Sequence, residues 1–271
     1  MSSHPLPQIN DEIVERSLGI VKDVFLNYRS LLLERAGNVA HTSKADGSPV
    51  TDIDVEIEQA IKTALMTQFP EIPVFGEESG YDSDLPAACW LIDPIDGTKS
   101  FIENKPTFTC MAVLIVEGQA VTAAIYNPST NDMYTAQKGR GSYKNNIALD
   151  LRSKSLPKMA WTKGSLVERL DEILEPVGVK CEISPNGAGY GFTQVSEGLV
   201  AARFQVHGQG GIHDYAPGGL LIQEAGGVLV PINSDKYTID LLSFVACHPD
   251  LEGVLLSSSH TLASIENNLI S

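Results

Sequence analysis

The nine residues Trp90-Leu91-Ile92-Asp93-Pro94-Ile95-Asp96-Gly97-Thr98 lead from an apolar segment into a turn that carries two acidic side chains. The apolar letters predict a buried strand, and Pro94 predicts a turn directly after it. Asp93 and Asp96 are three positions apart and are expected to project from that turn. Carboxylate oxygens are the ligands that hard divalent cations such as magnesium prefer.

The last two residues of this motif favour a bound anion. Gly97 allows a ligand to approach the backbone closely, and Thr98 is predicted to begin the next helix. Free amide groups at such a position suit a phosphate held beside the metal. Because Asp-Gly-Thr is also an ordinary turn sequence, the motif needs support from the rest of the chain.

Three further segments place acidic residues at predicted element ends. Gly76-Glu77-Glu78 follows the predicted strand Val74-Phe75, although Gly-Glu-Glu is also common in exposed loops. Thr51 and Asp54 match a helix capping box. Asp214 is placed to cap the helix that follows it, with a proline in the first turn. Taken alone, each segment is explained as well by local structure as by a metal site.

The remaining hydrophobic pattern mixes helices with hairpins. Helical spacing predicts helices at Ile13–Leu32, Thr51–Phe69, Leu166–Leu174 and after Asp214 up to Ala225-Gly226-Gly227. Strands are predicted at Val74-Phe75, Cys89–Ile92, Met111–Val116, Ala120–Tyr126, Met133–Gln137, Ser142–Lys144 and Val228–Pro231. This mixture indicates an α+β fold of stacked layers.

We place a domain boundary near residue 150, between an α+β metal-site domain (1–150) and an α/β domain (151–271) that completes the active site. The stretch Asn186–Gly191 contains mainly small residues.

Composition limits the classes of partner. Of 271 residues 43% are hydrophobic, which is enough for a sizeable core, and 19 basic against 34 acidic residues give a net charge of −15. Such a charge argues against duplex nucleic acid or an anionic membrane as a partner.

Four widely spaced cysteines indicate reduced core thiols. Met1–Asn10 lacks the pattern of a secretory signal, so we expect a cytoplasmic protein.

In this order and spacing, the four acidic segments resemble the inositol monophosphatase family of lithium-sensitive, magnesium-dependent phosphatases. The resemblance runs from the first helix to Glu224–Gly227, and Asp93–Thr98 matches the central motif of the family letter for letter. Gly76–Glu78, Ser48–Thr51 and Gly139–Gly141 also match. The resemblance implies a layered αβαβα sandwich, assembly as a homodimer and hydrolysis of a small phosphorylated metabolite.

The resemblance also implies residue roles. Two or three Mg²⁺ ions would be held by Glu77, Asp93, the carbonyl of Ile95, Asp96 and Asp214. Thr98, hydrogen-bonded to Asp54, would orient and deprotonate the attacking water, with Glu77 as the third catalytic residue. The substrate would be bound by the amides of Gly97 and Thr98, by Lys99 and by His207. Two carboxylates about 4 Å apart repel by about 4 kcal/mol at an effective dielectric of about 20, so this cluster should be unstable without cations.

Departures from the family pattern leave the substrate open. His213 stands where the family usually has tryptophan, and Pro217 replaces an alanine. His207 occupies the position of a glutamate that contacts sugar hydroxyls in inositol phosphatases. Lys99 follows the central motif, as in relatives that act on 3′-phosphoadenosine 5′-phosphate. We expect an inositol-1-phosphate-like substrate, with 3′(2′),5′-bisphosphate nucleotides, histidinol phosphate or fructose 1,6-bisphosphate as alternatives.

Two other classes of protein compete with this interpretation. A haloacid-dehalogenase-type phosphatase needs an Asp-x-Asp motif, whereas two residues separate Asp93 from Asp96. A catalytically silent metal-binding scaffold would be expected to lack the water-activating pair, yet Asp54 and Thr98 are both present. The sequence therefore favours the metal-dependent hydrolase.

Overall fold

The structure is a computed structural model that describes residues 9–44, 47–81, 85–206 and 210–270. Its α-helices are α1 (Asp11–Arg35), α2 (Asp52–Gln68), α3 (Thr98–Ile102), α4 (Val167–Leu174), α5 (Ala188–Ser196), α6 (Ile212–Glu224), α7 (Glu252–Ser257) and α8 (Ser259–Ile270). Its first strands are β1 (His41–Ser43), β2 (Pro49–Thr51), β3 (Val74–Gly76), β4 (Ala88–Asp96), β5 (Thr109–Val116), β6 (Gln119–Asn127) and β7 (Asp132–Gln137). The later strands are β8 (Gly141–Lys144), β9 (Ile147–Leu149), β10 (Met159–Thr162), β11 (Lys180–Ile183), β12 (Ala202–Gln205), β13 (Val228–Pro231) and β14 (Phe244–Cys247).

Two mixed sheets organise these elements. The larger has seven strands in the order β3-β4-β5-β6-β7-β8-β9, and all of its pairs are antiparallel except β3 with β4. The smaller has five strands in the order β11-β10-β12-β14-β13, of which β11, β10 and β12 run parallel. Within the described ranges, no helix has both the length and the apolar character needed to cross a membrane.

Four hydrophobic clusters fill the spaces between five layers. Helices α1 and α2 cover one face of the seven-stranded sheet, and α6 covers the other through Leu220 and Leu221. Helices α5 and α6 pack on the five-stranded sheet, where Phe192 stacks on Phe244 at 6.1 Å. Helices α4, α7 and α8 cover the far face of that sheet. The alternation of helix and sheet layers confirms the predicted αβαβα sandwich.

The local predictions for the first half are largely confirmed. Helix α2 begins after Thr51 and ends before Phe69, as its periodicity and the following proline indicate. Strands β5 and β6 form the predicted hairpin, and Glu117 and Gly118 take the positive φ angles (50° and 69°) that a two-residue hairpin turn requires. All four cysteines are buried and free, as expected for core thiols.

Two local predictions are wrong, and some elements were not predicted. Strand β4 does not end at Ile92 but continues to Asp96, because a register shift against β5 between Asp93 and Asp96 accommodates the intervening proline. Helix α6 begins before Asp214, which therefore lies in its first turn and not at the cap, and Pro217 lies inside the helix. Helix α5 within the small-residue stretch was not predicted.

The proposed domain boundary near residue 150 falls between the strands of the two sheets. Every strand of the seven-stranded sheet precedes residue 150, and every strand of the five-stranded sheet follows it. However, α6 from the second half packs directly on the seven-stranded sheet. Two separate folding units with a boundary near 150 therefore stay a prediction.

The α5–α6 interface provides a test of this packing. A Cβ atom added to Gly218 of α6 would overlap the ring of Phe192 on α5, whereas a Cβ added to Gly19 of α1 meets no atom within 4 Å. We expect Gly218→Ala to lower the free energy of unfolding by roughly 1–3 kcal/mol, because overpacking outweighs the gain in helix propensity. Gly19→Ala is the matched control and should be neutral or stabilising. Urea denaturation measures both, and equal stability of the two variants would contradict the described interface.

Candidate active site

Three acidic side chains from distant parts of the sequence meet between the seven-stranded sheet and α6. Asp93 and Asp96 lie at the end of β4, and Asp214 lies in the first turn of α6. Each offers a carboxylate oxygen, and these oxygens lie within 4.8 Å of one another. Asp93 and Asp96 are buried, and Asp214 is mostly buried. These are three of the five residues that the resemblance assigned to metal binding.

Asp96 is held by groups from both halves of the chain. Its Oδ1 accepts the backbone N–H of Ala188 at 2.8 Å, and its Oδ2 accepts the N–H of Gly189 at 2.7 Å. The hydroxyl of Thr109 also donates to Oδ2 at 3.0 Å. Burial and the charge of Asp214 raise the pKa of Asp96 to about 6, although these three donors act in the opposite direction.

Two glycines allow this contact between the halves. Gly187 has φ +100°, and a Cβ there would lie 2.6 Å from the carbonyl oxygen of Thr107. Gly97 has φ +78°, and a Cβ there would lie 3.1 Å from the Cα of Gly187. Side chains at these positions would separate α5 from β4. Sequence reasoning missed the two α5 amides, and the signal for them was the small-residue stretch itself.

Asp93 lies at the centre of the acidic group. Its Oδ1 is buried, and none of the described residues donates a hydrogen bond to it. Burial raises its pKa well above the usual value, and the charges of Glu77, Asp96, Asp214 and Asp54 raise it further. The other four predicted acidic residues therefore all lie within electrostatic reach of Asp93.

Asp54 is positioned by the cap of α2. Its Oδ2 accepts the backbone N–H of Thr51 at 2.8 Å and the Thr51 hydroxyl at 2.6 Å. Its Oδ1 is buried and has no hydrogen-bond partner among the residues described. Burial raises the pKa of Asp54 to about 7 against the effect of the Thr51 hydrogen bonds, and the charges of Glu78 and Glu77 add to the rise.

The expected hydrogen bond between Thr98 and Asp54 is not formed. The Thr98 hydroxyl donates instead to the carbonyl oxygen of Ile95 at 3.0 Å, and among the described residues Asp54 accepts hydrogen bonds from Thr51 alone. Helix α3 lies beside β2, so the two residues belong to neighbouring segments. The prediction of their direct contact is wrong: the Thr98 hydroxyl has a local acceptor in the Ile95 carbonyl, and the Asp54 oxygen that accepts hydrogen bonds, Oδ2, accepts them from Thr51.

Glu77 lies beside the three-carboxylate group but is not part of it. Its backbone N–H donates to the carbonyl of Ile92 at 3.0 Å, which fixes the segment after β3. Its Oε1 lies 2.6 Å from Nζ of Lys44, and the same ammonium lies 2.7 Å from Oε1 of Glu78. A cation from the protein itself therefore neutralises this edge of the site.

Asp214 has a histidine and a tyrosine next to it. Its Oδ2 accepts the N–H of Gly211 at 2.6 Å and lies 3.2 Å from Nε2 of His213. The other ring nitrogen of His213 lies 2.8 Å from the hydroxyl of Tyr81. Burial raises the pKa of Asp214 to about 7 and that of Tyr81 to about 12, and it lowers the pKa of His213.

The predicted substrate contacts other than His207 lie in or directly after the central motif. The residues of the central motif, Gly97 and Thr98, are half-buried beside the acidic group, and Lys99 is exposed. His207 lies outside the described residues.

Comparison with known proteins agrees with the geometry. A model of the inositol monophosphatase family matches residues 10–264. The chain is 27% identical to the inositol monophosphatase of Dictyostelium discoideum, over 89% of this chain and 92% of that protein. It is 31% identical to a 3′(2′),5′-bisphosphate nucleotidase of Shigella flexneri, over 68% of this chain and 76% of that protein. The fold matches the Thermotoga maritima IMPase with a TM-score of 0.79 at 20% identity, over 95% of this chain and 100% of that one.

The raised pKa values predict how stability depends on pH. Asp54, Asp96 and Asp214 have folded pKa values of about 6 to 7, whereas an unfolded aspartate has about 3.9. Between these values the folded state binds more protons than the unfolded state. The free energy of unfolding of metal-free protein should therefore fall as the pH rises from about 4 to about 7. Urea denaturation in EDTA at pH 5 and pH 8 checks the sign, and greater stability at pH 8 would contradict it.

Removal of one buried charge should reduce the repulsion that destabilises the metal-free protein. We expect Asp93→Asn to raise the stability of metal-free protein at pH 8 by roughly 1–4 kcal/mol, because Asp93 is repelled by its four acidic neighbours. Asp23→Asn on the exposed surface of α1 is the control and should have no measurable effect. A destabilised Asp93→Asn variant would mean that the carboxylate is stabilised by contacts other than a cation.

Proposed function

Because the chain belongs to the inositol monophosphatase family, we propose that it is a magnesium-dependent phosphatase that hydrolyses a small phosphorylated metabolite. The observation that carries the proposal is the meeting of Asp93, Asp96 and Asp214, whose ligand oxygens lie within 4.8 Å of one another. Within the family, we propose a monoester of the inositol 1-phosphate type as the substrate.

The residues fit magnesium by their chemistry. All the donors are oxygens, which suits a hard cation and does not suit zinc or copper. Buried Oδ1 atoms of Asp54 and Asp93 lack hydrogen-bond partners in the described part of the chain, and a buried unpaired carboxylate oxygen is costly unless a cation faces it. Asp93, Asp96 and Asp214 would hold one ion.

Glu77 and the carbonyl of Ile95 would complete a second metal site with Asp93. Glu77 is paired with Lys44, and Ile95 accepts the Thr98 hydroxyl. An ion at this position would therefore share Glu77 with the ammonium or displace it, and would draw the Ile95 carbonyl away from Thr98. Ions at this edge should bind more weakly than the ion at the three aspartates, and we propose two or three ions in all.

Phosphate hydrolysis needs an attacking water, neutralised phosphate oxygens and a stabilised leaving alkoxide. Bound magnesium would supply charge neutralisation and a more acidic water. Asp54 would accept the proton, and Thr98 would orient the water. The amides of Gly97 and Thr98 would hold phosphate oxygens, and exposed Lys99 would meet a second anionic group where the substrate has one.

The main alternatives within the family differ in the substrate. The similarity to a 3′(2′),5′-bisphosphate nucleotidase covers 68% of this chain, and Lys99, exposed directly after the central motif, would suit a second phosphate. Histidinol phosphate is a further candidate. A catalytically silent scaffold is the alternative outside the enzymes, and it would bind magnesium without turnover.

A phosphate-release assay with magnesium separates these candidates. The panel consists of inositol 1-phosphate, histidinol phosphate, 3′-phosphoadenosine 5′-phosphate and fructose 1,6-bisphosphate, each with and without lithium. We expect the highest kcat/KM with inositol 1-phosphate and inhibition by lithium. Preference for the bisphosphate nucleotide would assign the alternative, and no release from any of the four would favour the scaffold.

Thr98 provides the catalytic test. Thr98→Ala should lower kcat by roughly 10²–10⁴, since it removes a group that orients the attacking water. Thr98→Ser keeps the hydroxyl and should retain most of the activity. Both variants should keep the melting temperature and the magnesium response of the wild type, and full activity in Thr98→Ala would exclude this role.

Magnesium should also stabilise the fold. At a hundredfold excess over Kd, a ligand that binds only the folded state adds about 2.7 kcal/mol, which corresponds to roughly 5–10 °C for a chain of this size. The shift should be larger at pH 8 than at pH 5, because protons compete for Asp96 and Asp214. A melting curve that saturating magnesium leaves unchanged would exclude the site.

A further inference from the structure

A tyrosine and a histidine connect the Glu77 segment to the helix that carries Asp214. The Tyr81 hydroxyl lies 2.8 Å from Nδ1 of His213, and the two rings meet edge to face with centroids 5.7 Å apart. The two residues are 132 positions apart in the sequence. Tyr81 follows the segment after β3 that contains Glu77, and His213 lies in the first turn of α6. The contact therefore joins the segment that carries Glu77 to the first turn of α6, which carries Asp214.

The direction of these hydrogen bonds follows from the chemistry of their ends. Nε2 of His213 lies 3.2 Å from Oδ2 of Asp214, and because an ionised carboxylate has no proton to donate, the tautomer that suits this contact carries its proton on Nε2. A neutral imidazole with its proton on Nε2 has an acceptor at Nδ1. The Tyr81 hydroxyl is then the donor to Nδ1, and its oxygen accepts the backbone N–H of His213 at 3.4 Å.

This arrangement fixes one oxygen of Asp214. Oδ2 accepts the backbone N–H of Gly211 at 2.6 Å, and Nε2 of the His213 ring lies 3.2 Å from the same oxygen. Because His213 is only 8% exposed, it is placed to contact the carboxylate from within the protein and not to meet a substrate. Outer groups that hydrogen-bond a metal-binding carboxylate orient it and raise its affinity for the metal.

We propose that Tyr81 and His213 are positioning residues that orient the Asp214 carboxylate toward bound magnesium and fasten it to the segment that carries Glu77. This inference concerns the same site and rests on the proposed function. Its consequence is that loss of the tyrosine hydroxyl weakens metal binding at an aspartate that the tyrosine does not touch.

Magnesium affinity, measured by calorimetry and by the metal-dependent melting temperature, tests the pair. Tyr81→Phe removes only the hydroxyl and keeps the ring, and we expect it to raise the apparent Kd for Mg²⁺ roughly 10–100-fold. His213→Leu should raise it to a similar extent. His213→Gln, whose side-chain amide can donate from near the position of Nε2, should restore most of the affinity. A merely structural role would not produce this rescue.

The control is Tyr28→Phe, which removes a hydroxyl that bonds Glu56 on the exposed surface of α1 and α2. It should leave the Kd unchanged. If wild-type protein binds magnesium and Tyr81→Phe and His213→Leu both stay within twofold of its Kd, the positioning role is overturned while the proposed function stands. If wild-type protein itself shows no magnesium binding, the proposed function is contradicted, and the positioning role, which depends on it, is contradicted as well.

Discussion

Repulsion among carboxylates that are shielded from water is the constraint on which this site depends. Asp93 is buried, and four other acidic groups raise its pKa by their charge. Side chains under such repulsion would turn away from one another if they were free to move. They do not, because three of the four neighbours are tied to backbone N–H groups: Asp54 to Thr51, Asp96 to Ala188 and Gly189, and Asp214 to Gly211. The carboxylate of the fourth, Glu77, is paired with the Lys44 ammonium. The geometry that a cation needs is therefore already present in the protein, and the cation has only to supply charge.

The fold concentrates helix N-termini around this charge. Asp54 lies in the first turn of α2, the first amides of α5 donate to Asp96, and Asp214 lies in the first turn of α6. The N-terminal end of a helix carries a partial positive charge, so each of these ends favours the ionised carboxylate beside it. The alternation of helix and sheet layers is what allows three helices from separate parts of the chain to begin at one place. The layering thus stabilises the site as well as the core.

Local sequence rules predicted the elements whose stability is local. The periodicity of α1 and α2, the capping box of Thr51 and Asp54 and the hairpin at Glu117-Gly118 depend on neighbours within a few residues, and all are present. The rules failed where distant contacts prevail. A proline predicted the end of β4, yet pairing with β5 carries the strand past it. Helix α5 begins with small residues of low helix propensity, and the contact of its amides with Asp96 was not readable from spacing. The convergence of Asp93, Asp96 and Asp214 was predicted from the family resemblance, since no periodicity relates β4 to α6.

Helix α5 shows how the rest of the molecule supports the site. Its first amides hold Asp96, and Glu197 directly after its last residue accepts the Tyr134 hydroxyl at 2.6 Å and the Lys144 ammonium at 2.9 Å. Tyr134 and Lys144 belong to β7 and β8 of the same sheet that carries Asp96. The helix is therefore fastened to the seven-stranded sheet at both ends, although it comes from the second half of the chain. This explains how the two halves can keep Asp96 in place against the repulsion of Asp214. The position of Asp96 is therefore set by a helix that is itself held to the sheet at both ends.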